Sequence, residues 1–236
     1  MSYYRQRLAR VHALDFTDQA RAASALLVQL LDGGLVIDLG CGPGDLSEAV
    51  SAAGMDYLGI DASESMLDLA RERYPDRRFE HGSAFDVPES RAAAIVAVGE
   101  VVNYASDARA GLTGLAAWIR ACHRSLAPGG VLLLDVAGPL RADPEPRTVE
   151  VRGDGYWMQV TTQTDPGRQI LTRTITVEDD EGEYREVHEL LLIDPMDVMA
   201  AAQAAGFQIT ALESYAPDVP LARGWSAFLA RATSAQ

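Results

Sequence analysis

Residues 36–44, Val-Ile-Asp-Leu-Gly-Cys-Gly-Pro-Gly, place a short apolar run directly against a loop with glycine at every second position. The run suits a strand buried on both faces. The glycines let the backbone bend sharply and let a ligand approach without meeting a Cβ. Residues 45–53 then carry a helical pattern that stops at Gly54. A strand, a glycine loop and a helix in that order make half of a βαβ unit, so this one segment already points to an α/β sheet.

The rest of the chain keeps the rhythm. Residues 18–31 read as a helix with Leu26, Leu27, Leu30 and Leu31 on one stripe, ended by Gly33-Gly34. Residues 57–60 give a second strand ending at Asp61, and Ser63 is placed to cap the helix that Pro75 closes. Phe79 starts a third strand, 94–98 form a fourth, 108–126 a long helix and 131–136 a fifth strand after the turn Ala127-Pro128-Gly129-Gly130. Strands alternating with helices predict a parallel sheet covered on both faces.

The pattern breaks at 138–148, a connector with three prolines. Three strand-like runs follow at 156–164, 169–177 and 184–193, separated by Asp165-Pro166-Gly167 and Asp179-Asp180-Glu181-Gly182. Both separators are hairpin punctuation. An antiparallel meander over 149–193, inserted in a single α/β domain spanning 1–236, is the simplest organisation. A helix over 195–205 and strands at 207–215 and 225–231 complete it.

The glycine loop also narrows the ligand. The dinucleotide fingerprint is G-x-G-x-x-G, whose third glycine packs the helix. Here the spacing is G-x-G-x-G, and Asp45 stands where the third glycine belongs. A pyrophosphate would meet Asp45 and Glu48 at the helix start it needs. Asp61, 23 residues after Asp38, ends the second strand where a carboxylate can accept from both ribose hydroxyls. A nucleoside ligand without phosphates fits loop and acid better than NAD does.

Composition removes several classes. Twenty basic against 34 acidic residues give a net charge of −14, and every basic residue is arginine. A nucleic-acid partner is disfavoured, because phosphates are bound by surplus positive charge. Cys41 and Cys122 make neither a disulfide framework nor a zinc spacing, and the four histidines are scattered, so no metal is expected. No signal peptide or membrane span is apparent. A cytoplasmic protein, monomer or homodimer, with no membrane partner, is expected.

At this point the chain resembles the class I S-adenosylmethionine-dependent methyltransferases, over nearly its whole length. The segments VIDLGCGPG, LGIDASESML, HGSAFDVP, AIVAVGEVVNY and LAPGGVLLLDV are similar to five of the family's motifs in order, and the ending is similar to its sheet edge with a reversed strand. The resemblance implies a Rossmann-like, doubly wound, seven-stranded, mostly parallel sheet. It also implies S-adenosylmethionine as cofactor and S-adenosylhomocysteine as product. Asp38 would orient the loop, and Gly40 and Gly42 would touch the methionine and ribose part. Asp61 would hold the ribose hydroxyls, Ala62 and Met66 would flank the adenine, and Ala84 and Phe85 would line its edge. Gly99 and Glu100 would sit beside the methionine moiety. Ser83 stands where the family often has an acid. Phe85 reads equally as a core aromatic.

Fewer residues suggest an acceptor side. Tyr3, Tyr4, His12 and Phe16 precede the predicted first helix, within an N-terminal segment (1–32) that related enzymes fold over the cofactor. His12 is a candidate base, or a packing histidine. Asn103 and Tyr104 follow the fourth strand, at the carboxyl end of the sheet where open α/β folds bind ligands. Tyr104 joins His12 as a candidate catalytic residue, and Asn103 is a candidate for acceptor binding. Trp157, Arg173 and His188 lie in the meander, which would cover the acceptor; strand alternation alone would also produce such a face. The expected function is methyl transfer to an oxygen or nitrogen of a small molecule. The alternative is a non-catalytic cofactor-binding regulator or assembly partner.

Overall fold

The computed structural model describes residues 3–15, 17–143 and 145–233, so Phe16 lies outside them. Seven strands form the main sheet in the order β10-β13-β5-β4-β1-β2-β3. They are β1 (Leu35–Leu39), β2 (Asp56–Asp61), β3 (Arg78–His81), β4 (Ala92–Ala97), β5 (Leu126–Ala137), β10 (Phe207–Leu212) and β13 (Trp225–Ala232). β1 pairs in parallel with β2 and β4, β2 with β3, and β4 with β5, while β13 runs antiparallel between β5 and β10. This is the predicted Rossmann-like sheet with its reversed strand.

Period-two alternation divides the core. Ile37, Leu39, Leu132 and Leu134 pack on one face with Trp118 and Ile119 of α5 (Leu112–Ser125) and Val198 of α6 (Pro195–Ala204). Val36, Val131 and Leu133 pack on the other, against Leu27 of α2 (Asp18–Leu30), Val50 of α3 (Leu46–Ala52) and Leu67 of α4 (Glu64–Arg73). Each fully buried Leu, Ile or Val contributes about 1.5–3 kcal/mol, so both faces are held. Ser63 caps α4 as its sequence position suggests, its Oγ accepting from the Met66 amide at 3.3 Å. The strand order reverses between the parallel neighbours β1 and β4, which opens a crevice at their carboxyl ends.

The insertion is a four-stranded antiparallel sheet, not the three expected strands: β6 (Arg147–Gly153), β7 (Tyr156–Asp165), β8 (Ile170–Asp179) and β9 (Gly182–Leu191). β6 carries no strand signal in the sequence because it is an edge strand, mostly exposed, with no buried residue to mark it. A further helix, α1 (Gln6–Asp15), precedes the predicted first helix and lays Leu8 and Val11 on Met158 and Val177 of the insertion. α5 starts at Leu112 rather than 108, behind Gly111. The Ala127–Gly130 turn becomes an irregular start to β5, where the register against β4 shifts. The short pair β11 (Ser214–Ala216) and β12 (Val219–Pro220) lies between β10 and β13. Among the described residues no helix is long and apolar enough to cross a membrane.

Candidate active site

The loop after β1 is tied to the end of β2 by its own backbone. The Gly40 and Cys41 amides both donate to the Ile60 carbonyl, at 2.7 and 3.1 Å. A Cβ at Gly40 would lie 2.6 Å from the Val101 side chain, so only glycine lets the loop approach the segment after β4. Gly42 has φ +52°, and a Cβ there would meet no protein atom within 4 Å. It borders open cavity instead.

Asp61 faces the same space. Its Oδ2 accepts from the Gly42 amide at 2.9 Å and its Oδ1 from the Ser63 amide at 2.7 Å. A carboxylate offers about four lone-pair sites, so acceptor capacity remains toward the cavity. Burial raises its pKa and these amides oppose the rise. Asp38 lies behind the loop, buried, accepting from the Tyr57 hydroxyl at 2.8 Å; burial pushes its pKa up to about 7. The Cys41 thiol is likewise buried and pushed well above its ordinary value, which leaves it without nucleophilic character.

Gly40, Cys41, Gly42 and Asp61 open on a cavity of about 1090 Å³ between the crevice, the N-terminal segment and the inserted sheet. Of the sequence candidates, Gly40, Gly42, Asp61, Ala62, Met66, Ala84, Phe85, Gly99, Glu100, His12, Tyr104 and Arg173 line it. Asp38, Asn103, Trp157 and His188 do not. Asn103 is fully buried and clamps three elements: its Nδ2 donates to the carbonyls of Ala137 (3.0 Å) and Leu191 (2.6 Å), and its Oδ1 accepts from the Ala137 amide (3.0 Å). Trp157 lies one residue from the cavity-lining Met158, on the opposite face of β7. His188 is fully buried behind the aromatic wall, its ring 4.3 Å from that of Tyr3, with Nε2 2.9 Å from Glu186 Oε2. The expectation that Asn103, Trp157 and His188 contact the acceptor is corrected accordingly.

Glu100 is the hub of the floor. It follows β4 with φ +61°, a left-handed conformation uncommon outside glycine. The conformation turns the Gly99 and Glu100 amides onto the buried carboxylate of Asp135, at 2.9 and 2.6 Å. The Glu100 side chain then accepts from Arg173 Nη2 at 2.7 Å and from Trp225 Nε1, with Arg141 Nε 3.3 Å away. Both the amides and the carboxylate are thereby committed within the protein. Arg141 and Trp225, a connector residue and a last-strand residue, carried no sequence signal for this role.

The N-terminal segment closes one side. Glu186 of β9 accepts from the amides of Tyr4 and Arg5 at 2.9 and 2.8 Å, and Ser63 Oγ donates to the Tyr4 carbonyl at 2.8 Å. The Tyr4 and Tyr104 hydroxyls are 2.9 Å apart. Burial pushes the Tyr104 phenol well above its ordinary value, so it stays neutral. His12 meets the Tyr4 ring edge-on at 5.1 Å, and burial lowers its pKa to about 4. At the far end Ser83 Oγ donates to Asp107, whose carboxyl Arg109 holds well below the usual range. The acid absent at position 83 thus arrives from another loop. Phe85 lines the cavity and also packs on the core beside Trp118.

The residues fit S-adenosylmethionine on two observations: the open space over Gly42, and the Asp61 carboxylate lining the same cavity. A pyrophosphate does not fit. Asp45, at the start of α3, is buried and held by Arg73 at 2.7 Å, which keeps a carboxylate where phosphates would need the helix terminus. Among the described residues no group of three or more His, Cys, Asp or Glu is arranged to hold a metal.

Sheet order, reversed strand and carboxyl-end crevice define a class I methyltransferase fold. Residues 36–130 match the family model described as "Methyltransferase domain". The chain is 29% identical over 208 residues to the cypemycin N-terminal methyltransferase of a Streptomyces species, covering 82% of this chain and 80% of that one. It is 31% identical over 160 residues to a trans-aconitate 2-methyltransferase of Variovorax paradoxus (strain S110), covering 65% of this chain and only 59% of that protein. In structure it is similar to the CcbJ methyltransferase from Streptomyces caelestis, with a TM-score of 0.80, 20% identity and 97% of each chain covered. The chain is thus similar over residues 36–130 to methyltransferase domains, and in fold to S-adenosylmethionine-dependent methyltransferases.

Proposed function

We propose that the protein transfers the methyl group of S-adenosylmethionine to an oxygen or nitrogen of a small molecule. The observation that carries this reading is the Asp61 carboxylate, fixed by the Gly42 and Ser63 amides at the edge of a cavity of about 1090 Å³. That exceeds the roughly 300–1,000 Å³ of a single small-ligand pocket, so donor and acceptor have room side by side.

When bound, the cofactor supplies an electrophilic methyl on a sulfonium, and displacement needs the acceptor lone pair aligned opposite the sulfur. The chain's part is positioning. Asp61 holds two vicinal hydroxyls, Ala62 and Met66 flank the base, and Ala84 and Phe85 close its edge. Gly99 and Glu100 shape the floor beside the methionine end. Tyr4 and Tyr104 wall off water. Tyr104, kept neutral, orients by hydrogen bonding and removes no proton. His12 is neutral above about pH 4, and so low a pKa makes its imidazole a weak base, so it walls the acceptor space and does not remove a proton.

The test is a calorimetric titration with S-adenosylhomocysteine, with NADH as the parallel ligand. Binding of the first alone, weakened by about 1–3 kcal/mol in Asp61→Ala, is expected. Equal affinity in the variant would overturn the ribose placement, and NADH binding the whole assignment. Transfer of labelled methyl to an acceptor would separate the enzyme from a non-catalytic binder.

A further inference from the structure

The protein carries a net charge of −14, yet the charge is unevenly placed. The part of the cavity under the inserted sheet and beside β13 is lined by Arg141, Arg147, Arg173 and Arg223, against the carboxylates of Glu100 and Asp143. Glu100 is shared between Arg141 and Arg173. Arg147 and Arg223 form no ion pair and no side-chain hydrogen bond among the described residues, and both are exposed at the mouth. An acidic protein has many carboxylates with which to neutralise such residues. Here two guanidinium groups line the acceptor space with five donors each, none of them given to a protein acceptor among the described residues.

The inserted sheet arranges part of this surplus. Arg147 of β6 stands opposite Thr162 of β7, and Thr162 opposite Arg173 of β8, so the two arginines flank one threonine in a single row across three strands. Residues in one such row point to the same face, and all three line the cavity. Thr162 Oγ1 donates to the Arg147 carbonyl at 3.3 Å, which holds the edge strand where Arg147 leaves it. The next row on that face is Val149, Val160 and Ile175, entirely apolar and again lining the cavity. The roof is therefore a cationic row beside an apolar one.

We infer that the methyl acceptor is an apolar-bodied carboxylic acid, its carboxylate held by Arg147 and Arg223 and its hydrocarbon part laid against Val149, Val160 and Ile175. This rests on the methyltransferase reading above and names the acceptor class for the same cavity. A planar carboxylate matches the guanidinium fork through two parallel hydrogen bonds. A monoanion suits the site better than a phosphate dianion, because Asp143 faces the same space. The Arg141–Glu100–Arg173 cluster behind it adds one unbalanced positive charge and attracts the anion inward.

The test uses full-length protein saturated with S-adenosylhomocysteine and titrated calorimetrically with benzoate, 2-naphthoate and octanoate, each beside its primary amide, and with phenyl phosphate. At least one acid should bind about tenfold or more tighter than its amide, and Arg147→Gln/Arg223→Gln should remove that preference. S-adenosylhomocysteine affinity should be unchanged in the variant, because neither arginine borders Gly42 or Asp61, and this control reports an intact fold. Equal affinity for acids and amides, no acid binding, or a preference that survives the double substitution overturns the inference. Tighter binding of phenyl phosphate overturns the carboxylate assignment. Failure to bind S-adenosylhomocysteine is a different result, which removes the methyltransferase reading and the inference with it.

Discussion

Glu100 and Arg173 meet at 2.7 Å, joining the loop after β4 to the third strand of the insertion. Their side chains are only 2% and 13% exposed. Breaking one partner of a pair this buried leaves an uncompensated charge and costs about 3–5 kcal/mol. Glu100→Gln should lower the urea unfolding free energy by roughly that amount. Glu100→Gln/Arg173→Met should lose less than the two single changes summed, because the singles share one interaction. Additive losses would show that the pair does not couple the two elements.

The two loop glycines predict opposite failures. Gly40→Ala places a methyl 2.6 Å from Val101, so the fold should suffer before any ligand is added. Gly42→Ala meets no protein atom and should cost only the strain of a left-handed residue, about 1–2 kcal/mol, while S-adenosylhomocysteine affinity collapses. Thermal unfolding and calorimetry on the same two variants separate the effects.

Asp38 gives a pH signature. Its folded pKa is raised from 3.8 to about 7 by burial, so between those values the folded state binds more protons than the unfolded one. The stability this group adds is complete below pH 4 and is lost as pH rises through 7. Asp38→Asn removes that loss and keeps an acceptor for Tyr57. Relative to wild type, the variant should gain stability from pH 5 to pH 7 by up to about 1.4 kcal/mol per pH unit. Denaturant midpoints at both values check the sign. His12, with its pKa lowered to about 4, works in the opposite direction and is present in both proteins.

Glu186 anchors the N-terminal segment through the Tyr4 and Arg5 amides. Glu186→Ala should free it, with trypsin cleaving at Arg5 and Arg7 at least several-fold faster while the main sheet keeps its hydrogen-exchange protection. Unchanged cleavage would mean that Ser63 and the packing of Leu8 suffice to hold the segment.

The parts of the molecule legible in the sequence are those whose chemistry is local. The glycine loop, Asp61 and the Ser63 cap each act within a few residues, and the hairpin turns of the insertion announce themselves by composition. Alternation showed that β7 has two faces but not which one is inward, so Trp157 was favoured where its neighbour Met158 lines the cavity; a one-residue choice decides this. Asn103 sits at the expected end of the sheet, but backbone groups on β5 and β9 consume its amide. The Glu100 cluster was illegible because its members are 73 and 125 residues apart from the hub, and no spacing rule links them.

The position of β13 has a consequence for how the molecule is made. Trp225 reaches Glu100 from the start of this strand, and the strand itself is wedged between β5 and β10. A nascent chain emerging in order therefore exposes the edge of β5 until residues 225–232 have appeared. Until then Glu100 lacks its indole donor. The cavity floor is completed only once β13 has been made, so a ribosome stalled shortly before residue 225 holds a chain with the whole glycine loop and no finished site.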